Sequence, residues 1–150
     1  LMKLPTTIDE LLSEWSTDST INELDIKGEL IKIGNLKAKY LKAMSHHNLR
    51  VKALEKEYNS MRKMKWEYFS GDLNNPQDLQ TYGLEPWSKK VLRQDIQMYI
   101  DADKDIANLL LKKASNLEIV ETCKEIIKEL NNRTFQLRAY IDYKKFLEGM

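Results

Sequence analysis

One cysteine, three prolines and five glycines are all that this chain of 150 residues holds of those three types. Each scarcity excludes something. A lone thiol, Cys123, permits neither an intrachain disulfide nor a thiolate metal cluster, and its expected role is a small buried apolar residue in a reducing compartment. So little glycine and proline, beside 31% charged residues, suits long helices better than a loop-rich or strand-rich fold. There is no run of eighteen apolar residues and no charged-then-apolar leader, so a soluble intracellular protein without a membrane span is expected. The nucleophile elbow GxSxG, glycine-rich phosphate loops and HExxH are all missing. His46 and His47 are adjacent, so on a helix they point about 100° apart and cannot chelate together. Asp101-Ala102-Asp103-Lys104-Asp105 has the look of a calcium loop, but its required glycine falls at Ile106 and its closing glutamate at Lys112. The chain is therefore expected to be no enzyme and to need no cofactor or metal.

Hydrophobic residues, at 42%, suffice for the core of one domain. The net charge of +1 hides a strong asymmetry. Residues 1–31 carry a formal −5, residues 32–65 carry +8, residues 66–111 carry −4 and residues 112–150 carry +2. A +8 segment on one helix is the footprint of a polyanion-binding surface, or else an ordinary lysine-rich solvated face.

Thr7-Ile8-Asp9-Glu10 offers a capping box for a short helix through Leu11 and Trp15, which Asp18-Ser19-Thr20 should break and follow with a new N-cap. From about residue 22 to 70 there is no proline, and apolar positions step by three and four: Ile26, Leu30, Ile33, Tyr40, Met44, Val51, Leu54, Tyr58, Met61, Tyr68. Lys37, His47 and Lys65 fall on the same seam and interrupt it. This is the 3.5-residue repeat of a coiled-coil-like seam. Gly28 and Gly34 predict a kink or break near its start. A helix of roughly 40 residues spans about 60 Å. It needs a returning helix, a neighbouring subunit or both to cover its seam. Turn formers at about residues 72–87 mark a loop, and helical pattern resumes near Ser88 with a break expected near Ser115-Asn116. Asp103 lies on an apolar seam and should require a helix terminus or a lysine as its partner. The fold class is all-α, with one or two C-terminal helices packed on the long helix. Residues 1–17 read as a short N-terminal helix or arm, and residues 18–150 as one helical domain.

The segment Met61-Arg62-Lys63-Met64-Lys65-Trp66-Glu67-Tyr68-Phe69-Ser70-Gly71 interleaves three cations with three aromatics and closes on a Ser-Gly stop. Cations neutralise phosphates and flat rings stack on unpaired bases. A basic wet face backed by an aromatic core face has the same pattern. Tyr68 falls in the seam, whereas Trp66 and Phe69 stay open between stacking and packing.

Four motifs in register, over about residues 18–150, resemble the UvsY family of bacteriophage recombination mediators. They are Asp18-Ser19-Thr20, Lys63-Met64-Lys65-Trp66-Glu67-Tyr68-Phe69-Ser70-Gly71, Ala102-Asp103-Lys104-Asp105, and Cys123 with Arg133-x-Phe135…Ile141-Asp142…Lys145-Phe146…Gly149. Lys65 stands where the family pattern has arginine, with Arg62 close by; Trp66 replaces a smaller apolar residue, and the loop from Asn74 to Pro86 differs. The resemblance implies a non-enzymatic accessory protein of recombination and repair, acting in the cytoplasm of the infected bacterial host. It would form a homo-oligomeric ring, hexamer or heptamer, bind single-stranded DNA, and meet a RecA-like recombinase and the single-strand-binding protein. Lys63 and Lys65 would contact DNA, joined by Arg62 and by Trp66 or Phe69 as stacking rings. Phe135, Leu137, Ile141 and Phe146 would hold subunits together. The competing reading is a structural coiled-coil scaffold or adaptor whose lysines only solvate it.

Overall fold

The computed structural model of the protein describes residues 3–149, and every regular element among them is helical. In chain order these are α1 (Ile8–Asp18), α2 (Ile26–Ser70), α3 (Pro76–Tyr82), α4 (Ile96–Asp101) and α5 (Lys104–Leu147), with a 3₁₀ turn at Arg93–Asp95 leading into α4. The all-α expectation holds.

Short polar side chains cap the starts of α1, α2, α3 and α5. The Thr7 hydroxyl accepts the Glu10 amide at 3.1 Å, and the Glu10 carboxylate accepts the Thr6 amide at 2.9 Å, one residue earlier than an ideal capping box. That hydrogen bond from Thr6 holds the Glu10 carboxyl below the ordinary glutamate range. The second cap is not at residues 18–20, which still belong to α1 or its exit. Asp25 provides it, accepting the Gly28 amide at 3.0 Å. Neither glycine breaks α2, which runs for 45 residues. Gly28 sits under the cap, where an added Cβ would fall 2.1 Å from the Asp25 carboxylate. Gly34 has open space around it. Gly34→Ala is therefore expected to stabilise the protein by about 0.5–1 kcal/mol, read as a shift in denaturant midpoint, whereas Gly28→Ala displaces a cap and gains nothing.

The chain ends α2 at Ser70 and turns on Gly71, whose φ of 87° is the left-handed conformation that a side chain disfavours. The Leu73 amide then reaches back to the Glu67 carbonyl at 2.9 Å. The expected loop at 72–87 contains α3, capped by Asn75 and carrying proline in its first turn. Helix resumes later than expected, and the break comes at Ala102-Asp103 instead of Ser115-Asn116. Asp103 is the reason. Its Oδ2 accepts the amides of Asp105 and Ile106 at 3.1 Å each, which makes it the N-cap of α5. Ser115 and Asn116 then pass as ordinary helical residues, because nothing local competes with a helix of 44 residues.

The chain divides into two compact units, Leu1–Leu49 with Ser115–Met150, and Arg50–Ala114. In the first, Leu11 of α1, Tyr40 and Ala43 of α2, and Ile119, Cys123, Ile126 and Leu130 of α5 form the core. Burying each large apolar side chain contributes roughly 1.5–3 kcal/mol. Trp15 meets the Tyr40 ring edge-on at 5.6 Å, and the Tyr40 hydroxyl donates to Asp18 at 2.8 Å. Burial, with that carboxylate beside it, pushes the Tyr40 phenol far above its usual range. Burial likewise pushes the Cys123 thiol up to about 11, so it packs as a small apolar group. His47 is buried with Nε2 2.8 Å from the Pro5 carbonyl and Nδ1 2.7 Å from Asn116 Oδ1, a satisfied polar layer. In the second unit, Lys113 pairs with Glu55 and Lys65 with Asp105, so the α2 and α5 segments run antiparallel there. The seam of α2 therefore has a partner within its own chain. Of the returning helix and the neighbouring subunit that the seam calls for, α5 is the first, packed against α2 within each unit.

Candidate nucleic-acid interface

The last turns of α2 present a different residue type on each face, and the neighbouring elements of the second unit decide what each can do. Facing α5, Lys65 is only 3% exposed. Its ammonium lies 3.0 Å from Asp103 Oδ1 and 3.0 Å from Asp105 Oδ2. Burial opposes the charge, but the hydrogen bonds that the ammonium donates to the two carboxylates outweigh it and hold the lysine above its ordinary range. Asp103 thus meets both partners that its seam position demands, a helix terminus and a lysine. The structure places Lys65 inside the fold and fully engaged, not on the surface expected of a DNA contact.

One turn further on, α2 faces the segment between α3 and α5. Phe69, 7% exposed, sits among Tyr68 at 5.3 Å, Trp87 at 4.9 Å and Tyr99 at 5.7 Å. The Tyr68 hydroxyl donates to the Glu85 carbonyl. Each ring pair in such a box contributes about 0.5–1.5 kcal/mol beyond its area. Phe69 lies one residue off the seam, and Trp87 and Tyr99 of the residue 84–99 stretch pack against its ring. Its ring is spent on packing.

Arg62, Lys63 and Trp66 remain. Arg62 and Lys63 are exposed and Trp66 half-buried. The Arg62 guanidinium stands 6.0 Å from the Trp66 ring centroid and donates to Gln97 Oε1 at 2.7 Å. Gln97 is itself held by Asp101 at 2.7 Å, so α4 orients the arginine without neutralising it. Lys63 has no ion-pair or hydrogen-bond partner among the described residues. Two uncompensated cations and one accessible indole therefore share a surface that Lys65 and Phe69 anchor from within.

The profile of the family described as "Recombination, repair and ssDNA binding protein UvsY" matches residues 14–150. The chain belongs to the UvsY family. No curated protein sequence matches it. Among solved structures, the recombination mediator protein UvsY of bacteriophage T4 is similar in two crystal lattices. One gives a TM-score of 0.79 at 18% identity, covering 99% of each chain. The other gives 0.80 at 17% identity, covering 92% of this chain and 97% of that one. At such identity the likeness concerns the fold, and it extends over nearly the whole UvsY chain.

The residues expected to join subunits divide in the same way. Leu137 is 2% exposed, buried already by its own chain, and Ile141 is half-buried. Phe135 and Phe146 are 69% and 77% exposed, and Tyr143 and Leu147 lie open beside Phe146 on the last turns. Tyr140 reaches Glu23 at 3.2 Å, three residues before α2 begins, so α5 beyond it has no α2 residue opposite. Among the described residues no helix is long and apolar enough to cross a membrane, and no cluster of metal-ligating side chains occurs.

Proposed function

We propose that this protein is a non-catalytic recombination mediator that binds single-stranded DNA and helps a RecA-like recombinase replace the single-strand-binding protein on it. The observation that carries the reading is the exposed, unneutralised pair Arg62 and Lys63 beside Trp66, within the stretch that the UvsY family profile matches. Phosphates would bind the two cations, and an unpaired base would stack on Trp66, worth about 1–3 kcal/mol. Lys65 and Phe69 serve the same site by holding α2 against its neighbours. Subunits assemble as a ring through the exposed end of α5, with Phe135 and Phe146 in the contact. Repetition gives so few charges a useful grip, since each further subunit engages the same strand at high effective concentration. A strand wrapped in this way favours one of its two competing partners only through differential affinity, so no nucleotide chemistry is required of this chain. It would work in the cytoplasm of the infected bacterial host.

Oligo-dT binding across a salt series tests this. The log of the association constant should fall with log salt at about −0.7 per phosphate neutralised, and Arg62→Ala with Lys63→Ala should flatten that slope by about 1.4 per engaged protomer. No binding at low salt would overturn the reading in favour of a scaffold.

A further inference from the structure

The stretch 66–111 sums to −4, yet three of its four cations sit together at Lys89, Lys90 and Arg93. All three are exposed, and among the described residues none has a carboxylate within ion-pair distance. Tertiary structure brings them against the end of α2. A groove of about 420 Å³ is walled by Ser70, Gly71, Trp87, Lys89 and Lys90. A second, of about 360 Å³, is walled by Trp66, Ser70, Asp72 and Arg93. Ser70 and Val91 belong to both, so the grooves adjoin, and Asp72 is the one carboxylate lining either. Lys89 Nζ lies 5.2 Å from the Tyr99 ring centroid, which steadies its stem while the charge stays in solvent.

Arg62 stands over the same Trp66 that walls the second groove. Cations and accessible rings therefore continue in one path: Arg62, Trp66, Arg93, Lys90 and Lys89, with Trp87 at the far side. We propose that residues 87–93 are a second contact element for the same single strand, in which Lys89, Lys90 and Arg93 bind successive phosphates. This rests on the single-stranded DNA reading above. Half-buried indoles at both ends favour unpaired bases over an acidic peptide, which would use the charges and leave the rings idle.

The test compares wild-type protein, Arg62→Ala/Lys63→Ala, and Lys89→Ala/Lys90→Ala/Arg93→Ala on oligo-dT across a salt series. The triple variant should flatten the salt slope by about 2 per engaged protomer. Lys89→Arg/Lys90→Arg/Arg93→Lys should restore most of the slope, and melting should stay at wild type in both because none of the three is in the core. If wild-type protein binds and the triple variant keeps its full slope, this inference falls while the DNA-binding reading stands. If the triple variant keeps the slope but loses binding to a poly-glutamate peptide, the segment serves an acidic protein instead and the inference is likewise overturned. If wild-type protein itself fails to bind, the underlying reading falls first.

Discussion

Lys65→Ala is expected to destabilise the protein by about 2–4 kcal/mol while leaving the salt slope of DNA binding close to wild type. Removing one partner of a buried ion pair typically costs about 3–5 kcal/mol, because the remaining charge is left desolvated. Here Asp105 is more than half exposed, so water recovers part of that. Asp103 is the sensitive partner. It is mostly buried and also caps α5, so losing the ammonium loosens the start of a 44-residue helix. A change of this size lowers the melting midpoint by roughly 5–15 °C in a chain of this length. The lysine is held above its ordinary range, so its contribution is complete below the unfolded value near 10.4 and fades as pH rises through the higher folded value. The stability gap between wild type and Lys65→Ala should therefore be flat from about pH 7 to 9 and narrow above about 10.5. Calorimetry at several pH values, with oligo-dT titrations well below the melting point, checks both halves. Unchanged melting with a flattened salt slope would return Lys65 to the DNA surface.

Phe135→Asp with Phe146→Asp should reduce the proposed ring to protomers near 17.7 kDa by light scattering, with helix content and melting preserved. Both rings are more than two-thirds exposed in the protomer, so charging them costs the isolated fold little. In an interface the same carboxylates would be buried without partners, at several kcal/mol for each subunit contact. Leu137→Asp is the contrasting substitution. Leu137 is packed within its own chain, so a carboxylate there should unfold the protomer by at least about 3 kcal/mol instead of releasing it intact. An intact oligomer in the double phenylalanine variant would move the subunit contact away from the end of α5. Weaker DNA binding by folded protomers is the companion expectation, because the shared grip of several subunits is lost.

Much of this was legible one residue at a time. The seam of α2 appears in the chain as a 3.5-residue repeat, and Tyr40, His47, Val51, Leu54, Lys65 and Tyr68 are buried along it. Its two polar members carried their own signal. A lysine on a seam and an aspartate on the seam of a later helix each require a partner, and Lys65 and Asp103 are that pair. The motif resemblance pointed Lys65 outward instead, and seam position was the better guide to its burial. Phe69 had no such signal, since it lies off the repeat and is covered by residues 84–99, which carry no long periodicity. Lys89, Lys90 and Arg93 were concealed by the acidic sum of their surroundings. The break between α4 and α5 was displaced because Asp103 caps more strongly than Ser115 and Asn116 interrupt.

By itself, then, the sequence determined the helical class, the seam, the Ser-Gly stop and the family. Those properties are written in spacing and in local backbone chemistry, which need no distant residue to act. Which cations stay free was decided only by tertiary structure. A lysine is a phosphate ligand or a buried ion-pair member according to what packs over it, and for Lys65 and Lys63, two residues apart on one helix, α5 made opposite choices.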